Sequence, residues 1–259
     1  MVKKELKEQK EVLVMRVDKS LKDRLGLLAE KRKLTLTSIT RVAIEKFLDQ
    51  EEYNFEDYAE QYKPKKHNEV KDIVIAWLVI SLCFTIVLSG YHLFSSQLKE
   101  FTIINFLIFL GVSLIVTGTS FILHELAHKY TAIRFGAKAK FVKWKNSLLF
   151  SIGLSFLVGF VFVAPGAVYI YGKRLSVKEE GITSLAGPVI NIIMGFVFFG
   201  LAFLGLPAII ITYGIFINFW IALFNLIPIG PLDGKSIFLW NPIIWLVTIA
   251  IPVLFLFVL

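Results

Sequence analysis

Cysteine is nearly absent from this 259-residue chain: Cys83 is the only one, so neither an intrachain disulfide nor a cysteine-based metal site can form. In the middle of an apolar run, it reads as a filler in a membrane helix. Charge is nearly absent from the C-terminal part. Residues 73–259 hold 5 Asp+Glu and 11 Lys+Arg, against 15 and 17 in residues 1–72. An apolar stretch is missing behind Lys3, Lys4, Glu5, Lys7, Glu8 and Lys10, so the start does not read as a secretory signal. What is present in abundance is apolar side chain, at 56% of residues, too much for a soluble domain of this size. The chain therefore reads as a polar module followed by a membrane module. Its net charge of +8 suits a protein facing the cytoplasm, and allows nucleic-acid binding without requiring it.

Uncharged runs cover 73–98, 101–124, 146–172, 181–232 and 236–259. A spanning helix needs about 20 residues. The first two runs give one helix each, joined by a short connection holding Lys99 and Glu100. The 52-residue run must fold back, and Gly205-Leu206-Pro207 is the turn signal within it. The last run gives one more helix, starting near Pro242. The expected fold is mainly α: a polytopic membrane helix bundle of about five spanning helices plus a re-entrant hairpin, with a small N-terminal strand-helix-helix domain.

Orientation follows from the basic residues. Lys129, Arg134, Lys138, Lys140, Lys143 and Lys145 stand together without an acid, which marks 129–145 as cytoplasmic. Two crossings earlier, the N-terminus is cytoplasmic too, so the expected location is the cell membrane, multi-pass, with a cytoplasmic N-terminus. Lys173, Arg174 and Lys178 place 173–180 on that same side. A single crossing by 146–172 would contradict this. With Gly153, Gly159 and Pro165-Gly166, and β-favouring stretches at 161–163 and 168–171, this run reads as a re-entrant hairpin, an ordinary transmembrane helix being the alternative. Non-helical backbone at membrane depth must be satisfied by protein or a wet cavity, so the hairpin should pack beside a site.

His124-Glu125-Leu126-Ala127-His128 is an H-E-x-x-H pattern at the end of the second apolar run. On a helix, residues four apart share a face, so both imidazoles can reach one Zn²⁺ while Glu125 takes a proton from an activated water. Charged groups this close to a bilayer call for a reason. Catalytic zinc commonly takes three protein ligands. His67 lies in a polar linker and His92 near the outer end of the first helix, so neither is well placed. Asp233 is the only charge between Glu180 and Lys235, and by the crossing count it returns to the side where His128 ends. His124, His128 and Asp233 are therefore the expected ligands of one Zn²⁺ per chain.

Three motifs in order, His124-Glu125-x-x-His128, Ala186-Gly187-Pro188-Val189-Ile190-Asn191 and Asn225…Pro231-Leu232-Asp233-Gly234, resemble those of the site-2 protease family of intramembrane zinc metalloproteases. The resemblance covers roughly residues 72–259. It implies two histidines and an aspartate holding zinc, Glu125 as general base, and Asn225 steadying the substrate or the oxyanion. It also implies a transmembrane protein as substrate. Asn191 belongs to a motif packed beside the site. Lys235 stands where the family commonly has a second glycine, which raises a question about the turn after Asp233.

The N-terminal module, residues 1–50, has a different order. Glu11 to Val17 alternates like a strand, Leu21, Leu25 and Leu28 have helical spacing, and a second helix runs from about Leu36 to Gln50 with Thr35 as N-cap. This pattern resembles the ribbon-helix-helix family of dimeric DNA-binding domains, which implies a homodimer with Val12, Val14 and Arg16 facing the DNA groove. Valines offer no hydrogen bond to a base edge. Arg16 and a phosphate contact near Thr35 are the candidate DNA-binding residues, and dimerisation alone is the alternative. Residues 51–71 form a charged linker whose Lys63, Lys65, Lys66 and Lys71 suit lipid headgroups, and 72–259 is the membrane domain. Two readings of the whole follow. One is an intramembrane zinc endopeptidase. The other is a membrane-tethered DNA-binding regulator with a non-proteolytic sensing core. A transporter is a third, but its ion site would need more polar groups at mid-membrane.

Overall fold

The computed structural model describes residues 19–32, 35–36, 39–40 and 68–258. The chain divides into two compact units, Met1–Tyr58 and Ala59–Leu259. In the first, α1 spans Lys19–Arg32, where the leucine spacing placed a helix. Lys31 and Arg32 close it, at the end where the helix dipole favours cations. Thr35 is exposed and its carbonyl accepts the Ile39 N–H at 3.0 Å, opening a helical turn. The expected strand around 12–17, Arg16, His67 and most of the second helix lie outside the described residues.

The second unit begins with α2, Glu69–Leu88, capped by Asn68, whose side chain accepts the Lys71 N–H. It then runs α3 (Ile103–Thr117), a π-helical turn (Gly118–Ile122) and α4 (Leu123–Arg134). After these come β1 (Lys138–Lys143), α5 (Lys145–Val158) and β2 (Gly166–Tyr171). The long α6 (Val177–Leu201) opens on a capping box between Ser176 and Glu179. Gly205, in the left-handed region at φ 72°, and Pro207 make the expected turn into α7 (Ala208–Leu226). Helix α8 (Asp233–Trp240) and α9 (Pro242–Phe257), the latter capped by Asn241, end the unit.

Four helical stretches among the described residues are long and apolar enough to cross a membrane: Glu69–Leu88, Ile103–Arg134, Val177–Leu204 and Ala208–Leu226. The chain is a membrane protein. The fifth expected crossing corresponds to α9, which at 16 residues falls short of about 20. Helix α2 starts at Glu69, earlier than the uncharged run, because its first-turn acids are paired. Glu69 binds Lys129 at 2.7 Å and accepts the Phe141 N–H at 3.0 Å, while Asp72 pairs with Lys143. The start of α2 is thereby tied to α4 and to β1.

The run 146–172 leaves and returns to one place. Strands β1 and β2 pair antiparallel with Lys143 opposite Gly166, and the Trp144 N–H donates to the Pro165 carbonyl at 2.8 Å. The excursion is lopsided: a 14-residue helix out, a left-handed Gly159 at φ 70°, and chain that is neither helix nor strand back to Gly166. One face of α5 carries Ser147, Ser151 and Ser155. Their hydroxyls donate in turn to the carbonyls of Ala164, Phe162 and Phe160 on the returning arm. A serine every fourth residue thus satisfies backbone that apolar surroundings would leave bare. Single cysteines at Lys145 and Arg174, introduced in a Cys83→Ser background, are expected to react with a membrane-impermeant thiol reagent from one side of sealed vesicles. Reaction from opposite sides would overturn the re-entrant path.

Candidate metal centre

The site is built where α4 and α6 run side by side. His124 and His128, four residues apart on α4, meet a stripe on α6 at the same spacing: Thr183, Gly187 and Asn191. His128 donates its Nδ1–H to the Thr183 carbonyl at 2.7 Å, and His124 Nδ1 lies 2.5 Å from Asn191 Oδ1. Asn191 is held in that orientation because its Nδ2 donates to the Ser120 carbonyl at 3.1 Å and to Asn218 Oδ1 at 3.2 Å. Both acceptors facing the histidines are oxygens, so each Nδ1 carries a proton, and in the neutral, metal-binding imidazole Nε2 is then bare.

The two Nε2 atoms lie 2.9 Å apart, and Asp233 Oδ2 sits 3.3 Å from that of His124 and 3.2 Å from that of His128. Asp233 Oδ2 is buried with no hydrogen-bond donor. Three electron-pair donors at these separations repel unless a cation sits among them, so the arrangement fits a metal ion with two nitrogens and one oxygen, a common catalytic zinc set. This is the only such His/Cys/Asp/Glu group among the described residues, and it is the expected trio. His92 is elsewhere, packed against the Gly159 turn.

Two glycines make the approach possible. A Cβ at Gly187 would collide with the Nε2 of His128 and with the rings of both histidines. A Cβ at Gly234 would collide with the Leu226 carbonyl, where the chain folds back from α7 to present Asp233. Lys235, by contrast, is exposed, so its side chain leaves that turn undisturbed.

A cavity of about 520 Å³ opens beside the three donors, with Glu125, Asn225 and the Gly166–Val168 stretch of β2 in its walls. Glu125 is itself buried. A second pocket of about 30 Å³, room for one water, lies against Glu125, Trp144 and Ile221. Asn225 Nδ2 donates to the Ile221 carbonyl of its own helix at 3.0 Å, and its second hydrogen is a further donor. The sequence named Asn191 without a role and passed over Thr183, Ser120 and Asn218. An amide inside the apolar run of α7 was the available signal for Asn218, whereas a backbone acceptor has none.

The description Peptidase family M50 matches residues 106–207. A Methanocaldococcus jannaschii protein named "Putative zinc metalloprotease MJ0611" is 36% identical over 190 residues, 72% of this chain and 91% of that protein. Two bacterial proteins bear names of the same form. YwhC of Bacillus subtilis is 34% identical over 50% of this chain and 67% of its own length. Rip2 of Mycolicibacterium smegmatis is 31% identical over 49% of this chain and 56% of its own length. No solved structure matches the chain.

Proposed function

The chain belongs to peptidase family M50, and from that premise we propose that it is an intramembrane zinc endopeptidase that cuts transmembrane segments of other membrane proteins. The observation that carries this is the trio of bare donors, His124, His128 and Asp233, at the wall of a cavity shared with the buried Glu125. The alternative, a sensing core without proteolysis, has no use for three acceptors that repel one another until a cation joins them.

Bound zinc would supply a Lewis acid that makes water more acidic and polarises the scissile carbonyl. Glu125 takes the proton from the attacking water and passes it to the leaving amine. Asn225 donates an amide hydrogen to the oxygen on which charge develops. A substrate helix must unwind first, because its carbonyls are already hydrogen-bonded. The unwound stretch adds to the sheet as a third strand. The outer edge of β1 is engaged, since the Phe141 N–H points to Glu69, whereas β2 lines the cavity, which favours docking on β2. The flanking lipid-facing helices would admit the substrate from the bilayer, with the site opening towards the cytoplasm.

The test compares membranes of cells making the wild-type chain with those making Glu125→Gln. Proteins should accumulate uncut in the variant, and wild-type cut sites, mapped by mass spectrometry, should fall inside apolar segments. Cuts confined to soluble loops would end the intramembrane reading, and identical proteomes would end the protease reading.

A further inference from the structure

The geometry points to Asn218 as a positioning residue that sets which nitrogen of His124 is offered to the metal. This rests on the zinc reading above, but it concerns a chain of hydrogen bonds that exists without metal. Asn218 is in the middle of α7, with no exposure to solvent, in a helix whose only other side-chain amide is Asn225, near its end. It is neither one of the donor trio nor part of the cavity wall.

The polarity of the chain runs one way. At its far end is the Gly214 carbonyl, which can only accept. Asn218 Nδ2 donates to it at 2.8 Å, so Asn218 must turn its Oδ1 towards α6. That oxygen accepts from Asn191 Nδ2 at 3.2 Å, and the Ser120 carbonyl takes the other hydrogen of the same amide at 3.1 Å. With both hydrogens directed away, Asn191 presents only Oδ1 to His124, at 2.5 Å from Nδ1. His124 therefore keeps its proton on Nδ1 and leaves Nε2 bare. A backbone carbonyl on α7 thus dictates, through two amides, the tautomer of a ligand on α4. All the members are buried, where unpaired amide hydrogens are costly and a reversed order would set oxygen against oxygen. The same links bind three helices around the site, since Asn218, Asn191 and His124 sit on α7, α6 and α4.

Two substitutions separate positioning from packing. Asn218→Leu keeps the volume but removes the acceptor, leaving one Asn191 hydrogen unpaired. Asn218→Asp, neutral in this buried place, still offers a hydroxyl to Gly214 and an oxygen to Asn191. The full-length chain in detergent is titrated with zinc against a competing chelator. Asn218→Leu should bind zinc about tenfold more weakly, the lower end of the cost of losing a partner just outside a metal's ligands. Asn218→Asp should stay within about threefold of wild type, because every hydrogen bond keeps a partner. Wild-type affinity in Asn218→Leu, or equal loss in both variants, would overturn the assignment. The zinc-free wild-type chain gives an independent readout, since ¹⁵N-histidine spectra should show the His124 proton on Nδ1. A neutral His124 whose single proton sits on Nε2 would overturn the inference whatever the variants do. Absence of zinc binding by the wild type, with the Nδ1 proton in place, would count against the proposed function instead.

Discussion

Glu125→Gln is expected to lower proteolysis by at least about 10²-fold, the usual contribution of a general base, while zinc stays at one per chain. Glu125 stands next to a ligand in sequence but is not a member of the donor trio. Its carboxylate lines the cavity, so the amide that replaces it fills the same space. What the amide lacks is a lone pair basic enough to accept the proton from water. Asp233→Ala makes the contrast, because it removes one of three donors and should lose zinc and activity together. Zinc content by mass spectrometry and cleavage rate in reconstituted vesicles distinguish the two. Near-normal cleavage by Glu125→Gln would mean that another group is the base. Loss of zinc from that variant would mean that Glu125 holds the metal rather than the proton.

The parts of this site legible in the sequence are those carried by single residues with distinctive chemistry. The two histidines and the isolated Asp233 announce themselves by spacing and by their cost in an apolar setting. The balance of lysines and arginines was enough to expect that 146–172 turns back, which agrees with the pairing of Lys143 and Gly166. What stayed hidden depends on pairs. Glu69 fell within the charged linker and Asp72 at the first position of the membrane domain, and nothing in a linear charge pattern shows that Lys129 and Lys143 will face them. The serines of α5 have helical spacing, but their partners are backbone carbonyls on an arm whose path only the fold decides. The carbonyls of Thr183 and Gly214 belong to any residue type. Asn191 and Asn218 were visible as polar groups in apolar runs, yet their direction comes from the acceptors around them.

Gly187→Ala should release the zinc and abolish activity, although intrinsic helix propensity favours alanine over glycine by about 1 kcal/mol. The added methyl would land on the Nε2 side of His128 and against the His124 ring, where the metal belongs. The rings cannot draw back easily. Their far sides are fastened to Thr183 and Asn191, one helical turn to either side of Gly187 on the same helix. Moving α6 away would relieve the clash only by stretching both of those bonds. Losing either alone would cost roughly 10–100-fold in metal affinity, so the expected loss is at the top of that range or beyond it. Gly200→Ala is the matched control. It lies near the end of α6, where an added Cβ meets nothing within 4 Å, and it should leave zinc binding unchanged. Both variants are compared with wild type for zinc retained after dialysis and for helix content by circular dichroism. Retention of zinc by Gly187→Ala, with the fold intact, would show that α6 does not press on the metal site as described.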